Sequence, residues 1–375
     1  MKGVGKMNIG QKLKLARDAV GYTLKKASKE SDIGDSSISE FENGKREPKF
    51  SQLSKLAEVY RRTIEFFLTD EPVVENMMLW REKPDTEEKR KEVEARFFQL
   101  CEQYHNLEVC CGEPGKVKLP EPDITKPEQF DYKQVEALAS KVLKLFSLGE
   151  IPGASLKQAL EEKYYVKIFY LEFLGSAISL VSPKFGPAIL LNKRNKLWRR
   201  NYDLAHELFH ILTWSNFRTA NVNVLTASAE EEKLADVFAS RLLLPEESVR
   251  ERISFYTDSQ GQIRLEQLED VAREFGVSLD ALVYRIASLF KIKKEDTLKY
   301  LDATKKLCAF HKPRESDEPE MLPERYCALA QRALRDGNLS LLQFAKYMGI
   351  SYKKAQAYIT EGEDFTDEKI SISVA

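Results

Sequence analysis

The chain has 375 residues, of which 43% are hydrophobic, and a formal net charge of −1, so it is long enough for two or three domains with cores of their own. No apolar run reaches the ~20 residues of a membrane span, and the lysine-rich start lacks the apolar core of a signal peptide, so we expect a cytoplasmic protein without a membrane partner. The five cysteines are irregularly placed, which argues against a disulfide framework.

A small helical bundle is predicted at the start of the chain. Apolar residues follow a helical period between Ile9 and Leu68, and this period breaks at Gly21, Gly34 and Gly44. The pattern predicts about five short helices. Two of them, separated by the turn at Gly34, have the spacing of a helix-turn-helix.

The segment SEFENGKREP, at residues 39–48, resembles the phage-repressor (Xre-like) family, and the match covers nearly all of residues 7–68. The resemblance implies that the second helix of the motif enters the major groove of an operator. We expect base-edge contacts from Ser36, Ser37, Ser39 and Glu40, and phosphate contacts from Lys25, Lys26, Lys45 and Arg46. Because the recognition helix also carries acidic residues, monomer binding should be weak, which favours a homodimer. A protein-docking role for the bundle is the alternative.

A spacer is predicted in the middle of the chain. Residues 85–108 begin with the capping-box-like segment DTEE and continue as a charged amphipathic helix. Four prolines within residues 112–127 indicate an extended linker.

Beyond the linker, two helices are predicted near residues 135–148 and 155–164. Apolar or alternating segments between residues 165 and 192 then predict a small antiparallel sheet, whose edge could hold an extended peptide.

Residues 206–210 read HELFH, with apolar residues at helical spacing on both sides. Positions i and i+4 share one face of a helix, so His206 and His210 can offer two imidazole nitrogens to one metal ion. Glu207 then lies beside the open coordination position, where it can serve as general base and acid for a water molecule.

A third ligand is expected from the acidic helix that precedes Pro245. There Glu232 and Asp236 share one face, so Glu232 would bind the metal while Asp236 accepts a hydrogen bond from the far nitrogen of a ligating histidine. Glu231 is the alternative third ligand. The metal is expected to be Zn²⁺, with Mn²⁺ or Fe²⁺ as alternatives.

The run AHELFH and the later ExxADxFASRLLLP resemble the ImmA/IrrE family of metallopeptidases, and the Glu-x-x-x-Asp element is also similar to that of the gluzincins. The resemblance implies His206, His210 and Glu232 as metal ligands. It also implies Glu207 as general base and acid, and Asp236 as the residue that orients a ligating histidine. It leaves the group that stabilises the oxyanion open, with Tyr202 and Arg200 as candidates.

The predicted fold class is mostly α (α+β), with four parts. These are a helix-turn-helix domain at residues 1–70, a helical spacer and proline-rich linker at 71–130, a gluzincin-like metallopeptidase domain at 131–303, and a C-terminal helical region at 304–375.

The expected function is that of a zinc endopeptidase fused to a DNA-binding helix-turn-helix. The family resemblance implies a protein substrate that is itself a helix-turn-helix repressor, cleaved in a stress, mobile-element or defence circuit. Two alternatives remain open at this point. One is a DNA-binding regulator with a non-catalytic zinc fold, and the other is a protease toxin or phage-defence effector that an antitoxin controls.

Overall fold

The computed structural model describes residues 7–69, 77–113, 118–124, 126–218, 226–310 and 318–363, without the side chains of residues 305–310 and 359–363. The described chain is mostly helical and contains one four-stranded sheet, which confirms the predicted fold class. In these segments no helix combines the length and apolarity that a membrane crossing requires.

Five helices form the N-terminal bundle, as the glycine breaks predict. They are α1 (Ile9–Ala19), α2 (Leu24–Ser31), α3 (Asp35–Glu42), α4 (Phe50–Val59) and α5 (Ile64–Leu68). The Thr23 hydroxyl accepts a hydrogen bond from the backbone N–H of Lys26 at 3.2 Å and caps α2. A Cβ atom at Gly10 would lie 2.4 Å from the carbonyl oxygen of Phe41, so only glycine lets α1 pack this closely on α3.

The sheet has the strand order β1-β3-β4-β2. Its strands are β1 (Met78–Trp80), β2 (Lys167–Leu171), β3 (Ala177–Ser182) and β4 (Gly186–Asn192). Strand β3 pairs antiparallel with both β1 and β4, whereas β2 runs parallel to β4. The sheet is therefore mixed, and the expectation of a wholly antiparallel sheet was wrong. After β2 the chain passes to β3, which is not its neighbour in the sheet, and β4 then lies between β2 and β3. Because β4 is antiparallel to β3, it runs in the same direction as β2.

The remaining described helices pack around the sheet and against one another. They are α6 (Glu87–Cys110), α7 (Tyr132–Phe146), α8 (Pro152–Gln158), α9 (Leu197–Leu212), α10 (Trp214–Phe217), α11 (Ala229–Leu243), α12 (Glu246–Tyr256), α13 (Leu265–Glu274), α14 (Leu279–Leu289), α15 (Lys294–Phe310), α16 (Glu324–Arg335), α17 (Leu341–Met348) and α18 (Tyr352–Glu363). A π-helical turn at Ala159–Lys163 extends α8. Helix α9 packs against β3, β4 and α11, and α11 also packs against α7.

Residues 71–130, predicted as spacer and linker, supply β1 and α6 to a core that they share with the other strands and α16. Helix α6 packs against α16 and the sheet, and this core buries the side chains of Trp80, Phe97, Tyr104, Phe169 and Tyr326. A separate core lies on the other sheet face, between α7, α8, α9 and α11. The domain boundaries given above stay a prediction.

Candidate metal centre

The polar side chains of the HELFH motif are buried in the C-terminal half of helix α9. His206 and Glu207 have 0% exposure and His210 has 2%. Their neighbours on α9 are buried in the core that α7, α8 and α11 complete. Burying three ionisable groups costs free energy unless each finds a partner, so the surroundings of each group indicate what it does.

Both imidazole Nε2 atoms converge on one carboxylate from α11. His206 Nε2 lies 3.1 Å from Glu232 Oε2, and His210 Nε2 lies 3.6 Å from Glu232 Oε1. The two Nε2 atoms are 3.2 Å apart, and one ligand atom from each residue lies within 4.8 Å of the others. A tetrahedral zinc ion with bonds of ~2.0–2.1 Å holds its ligand atoms about 3.4 Å from one another. The three side chains therefore fit a zinc ion in both donor type and spacing.

The far nitrogen of each histidine also has an acidic partner. His206 Nδ1 lies 2.9 Å from Asp236 Oδ1, and His210 Nδ1 lies 2.8 Å from Glu231 Oε1. Each carboxylate favours the tautomer with a proton on Nδ1, which leaves Nε2 free for a metal. Sequence reasoning placed Asp236 in such a role but kept Glu231 as an alternative metal ligand. Each ligating histidine needs its own hydrogen-bond acceptor at Nδ1. Since Asp236 serves only one of the two histidines, a second acidic residue was to be expected, and Glu231 is that residue.

Glu231 is fixed at both of its oxygens by an arginine. Arg218 Nη2 and Nη1 donate to Glu231 Oε1 and Oε2 at 2.7 and 2.9 Å, and both side chains are buried. Burial works against ionisation, but the hydrogen bonds from His210 and Arg218 outweigh it and lower the pKa of Glu231. An ionised Glu231 is the form that orients His210.

Glu207 differs from these acids because neither of its carboxylate oxygens has a hydrogen-bond partner among the described residues. Burial raises its pKa, and the charges of His210 and His206 offset part of this effect. The hydroxyl of Ser179 on β3 is buried nearby and also lacks hydrogen-bond geometry to any partner in this part of the chain. Glu207 is therefore available to a molecule that enters the site.

Solvent reaches the cluster from the side of α11. The side chain of Glu232 is 30% exposed and that of Asp236 is 50% exposed, whereas the side chains of both histidines are at most 1% exposed. A ligand or substrate would approach past these two carboxylates.

Two family models match the chain. The model described as an IrrE N-terminal-like domain (Peptidase_M78) covers residues 161–287, which include the whole cluster, and a helix-turn-helix model covers residues 13–67. The chain joins a helix-turn-helix domain to an IrrE N-terminal-like domain. This confirms the recognition of both modules from their motifs.

A curated relative matches a short stretch of the chain. The HTH-type transcriptional regulator ImmR of Bacillus subtilis is 34% identical over 67 residues, which are 18% of this chain and 53% of that protein. The match thus spans about half the length of the relative. A solved structure, Bacillus thuringiensis PlcR in complex with the peptide PapR7 and DNA, aligns over 96% of this chain and 99% of its own at 15% identity. Its TM-score of 0.16 is too low to support an argument about fold.

In the helix-turn-helix domain, the side chains predicted to contact DNA differ in exposure. The exposed ones are Lys25, Ser36, Lys45 and Arg46, and the half-buried ones are Lys26, Ser37, Ser39 and Glu40. Lys26 Nζ forms an ion pair with Glu88 on α6 at 2.7 Å. Arg46 lies 3.6 Å from Glu40 and over the ring of Phe41. Two of the predicted phosphate contacts thus have acidic partners within the chain.

The two oxyanion candidates in the IrrE N-terminal-like domain have different surroundings. The Tyr202 hydroxyl lies 3.3 Å from Asp236 Oδ1, next to the cluster. Arg200 Nη1 donates to the carbonyl oxygens of Asn195 and Lys193 in the turn before α9. Arg200 therefore stabilises the start of the helix, and Tyr202 is the one of the two beside the cluster.

Proposed function

We propose that the IrrE N-terminal-like domain is a zinc-dependent endopeptidase. The observation that carries the proposal is the convergence of His206, His210 and Glu232 within zinc-binding distances. Beside them lies the buried Glu207, whose carboxylate accepts no hydrogen bond from the residues that the structure describes. A zinc ion held there would supply Lewis acidity, which brings the pKa of a water molecule toward ~7. Glu207 would accept a proton from the attacking water and return it to the leaving amine. Asp236 and Glu231 keep the two imidazoles in the tautomer that the site requires.

We further propose that the substrate is a partner transcriptional repressor with its own helix-turn-helix. The support is the fusion of the two modules in one chain, together with the likeness of 67 residues of this chain to a transcriptional regulator. The helix-turn-helix domain, through residues 7–68, would bring the peptidase to an operator at which the repressor is bound. This arrangement raises the local concentration of a single substrate.

DNA binding by the helix-turn-helix domain is the second part of the proposal. The exposed side chains of Lys25, Lys45 and Arg46 support phosphate contacts, and the exposed Ser36 at the start of α3 supports a base contact. Three acidic residues, Asp35, Glu40 and Glu42, lie on α3, so phosphate contacts from one copy are few. A homodimer would double them.

Cleavage of candidate repressors tests the proposed activity. The zinc-loaded chain is mixed with purified helix-turn-helix repressors encoded near its gene, with Glu207→Gln as the matched variant. We expect one repressor to be cut at a single bond, and the Glu207→Gln protein to be slower by a factor of roughly 10² to 10⁴, since it lacks the general base. Equal cleavage by Glu207→Gln, or no cleavage of any candidate, would contradict the proposal.

A further inference from the structure

Arg81 lies far upstream of the residues that match the IrrE N-terminal-like domain, yet its side chain reaches the metal centre. Arg81 Nη1 donates to Asp203 Oδ1 at 2.7 Å, and Nη2 donates to Asp236 Oδ1 at 3.2 Å. Asp203 belongs to α9 and Asp236 to α11. One guanidinium thus bridges the two helices that carry the three candidate ligands.

The sheet fixes the position of Arg81. It directly follows β1, and its backbone N–H donates to the carbonyl oxygen of Ala177 on β3 at 3.2 Å. The preceding Trp80 is fully buried, and its indole N–H donates to Glu94 on α6 at 2.8 Å. The guanidinium lies 5.3 Å from the centre of the Tyr202 ring. Arg81 therefore projects from a paired strand, and its side chain is only 10% exposed.

The two carboxylates depend on Arg81 to different extents. Asp203 is fully buried and also accepts hydrogen bonds from Ser176 at 2.6 Å and from Arg199. Asp236 is 50% exposed at its side chain. Its other contacts are His206 Nδ1 at 2.9 Å and the Tyr202 hydroxyl at 3.3 Å. Without the guanidinium, Asp236 can rotate into solvent, and His206 then loses its acceptor.

We infer that Arg81 is a positioning residue for the metal centre, an inference that rests on the proposed zinc site. By holding Asp236 against α9, Arg81 keeps His206 Nδ1 hydrogen-bonded and Nε2 directed at His210 and Glu232. The planar fork of an arginine can serve two carboxylates at once, which the single ammonium of a lysine cannot do with the same geometry. The segment between the two modules thereby completes the peptidase site.

Zinc affinity of the full chain tests the inference without relying on activity. Affinity is measured by competition with a chromophoric chelator for the unsubstituted protein, Arg81→Met, Asp236→Ala and the double variant. Loss of an outer hydrogen-bond partner weakens metal binding by about 10- to 100-fold. We expect a loss of that order for each single variant, and for the double variant a loss close to that of Asp236→Ala alone, because Arg81 acts through Asp236.

Two further variants control for folding. Arg17 has the same 10% exposure and a 2.7 Å ion pair with Glu42 in the N-terminal bundle, so Arg17→Met should bind zinc as the unsubstituted protein does. If Arg81→Met does not fold, Arg81→Lys replaces it, and we expect weaker zinc binding and an altered visible spectrum of the Co²⁺-loaded protein.

Several results would overturn the inference. One is an unchanged zinc affinity in a folded Arg81 variant. Another is a double variant whose loss of zinc affinity equals the product of the two single losses. A third is a loss of zinc affinity in Arg17→Met equal to that in the Arg81 variant. An unsubstituted protein that binds no zinc would instead refute the proposed function itself.

Discussion

The buried carboxylates differ in whether a cationic side chain pairs with them, and this difference distinguishes structural from chemical roles. Asp203 and Glu231 are held by arginines, and Glu108 lies 2.8 Å from Lys167 and 2.7 Å from Arg325. Such pairing is the rule for buried charges. Glu207 departs from the rule within the candidate metal centre, since its carboxylate has no hydrogen-bond partner in the described part of the chain, as a proposed general base requires.

Glu161, in the π-helical turn after α8, departs from the rule away from the cluster. It is buried at 8% exposure, and its Oε1 has no hydrogen-bond partner in the described segments. Burial raises the pKa of Glu161 to about 7, although Lys157 at 4.0 Å lowers it. A raised pKa of an acid means that the folded state favours the protonated form.

Stability should consequently depend on pH through Glu161. The stability that protonated Glu161 contributes to the folded state is fully present below the unfolded pKa of 4.5. It is lost as the pH rises through the folded pKa of about 7. At pH 8 we expect the free energy of unfolding of Glu161→Gln to exceed that of the unsubstituted protein by roughly 3 kcal/mol at most. At pH 4 the two proteins should have similar free energies of unfolding. Urea unfolding across this pH range measures the difference.

The neighbouring Glu162 is exposed and supplies the control. Glu162→Gln should change stability little at any pH in this range. A Glu161→Gln difference that stays constant from pH 4 to pH 8 would contradict the assignment.

At the scale of elements, helices with a clear period were predictable and short strands were not. The buried faces of α9 and α11 follow from apolar residues at helical spacing, and the helix-turn-helix follows from its glycine turn and Thr23 cap. Strand β1 has three residues, which is too few to show an alternation. The parallel pairing of β2 with β4 depends on contacts between distant segments, which a local pattern does not contain.

Within the candidate site, spacing along one helix was sufficient for some residues only. His206, Glu207 and His210 share α9, and Glu232 with Asp236 share α11, so helical geometry predicted their faces. Arg81 and Arg218 come from other segments and have no motif spacing to the histidines. Arg81 reaches α11 because β1 pairs with the sheet, and Arg218 reaches Glu231 from the end of α10.

At the scale of the whole molecule, the helix-turn-helix bundle lies against α6. Lys26 pairs with Glu88 at 2.7 Å, Arg61 lies 3.6 Å from Glu92, and Arg62 lies 3.7 Å from Glu102. Acidic residues of α6 thus face basic residues of the bundle. Because Lys26 is also a predicted phosphate contact, α6 would compete with DNA for it.

Removing that competition should strengthen DNA binding. We expect Glu88→Gln to raise the affinity for duplex DNA roughly two- to five-fold at low salt, and less at high salt, since an exposed ion pair is weak and screened. Fluorescence anisotropy with a labelled duplex at two salt concentrations measures this change.

Glu87→Gln is the matched control, because it changes the net charge equally while Glu87 pairs with Lys91 at 2.9 Å within α6. Its effect on affinity should be smaller. Equal effects of the two substitutions would show that only net charge matters and that Lys26 does not contact the DNA.

Zinc content per chain is the decisive measurement, because the proposed peptidase requires two imidazoles and one carboxylate that bind a single zinc ion. After dialysis against zinc-free buffer, elemental analysis should find one zinc per chain in the unsubstituted protein and almost none in Glu232→Gln. Glu231→Gln should keep its zinc at saturating metal and bind it more weakly, because Glu231 only orients His210. Stoichiometric zinc in Glu232→Gln, or no zinc in the unsubstituted protein, would contradict the claim.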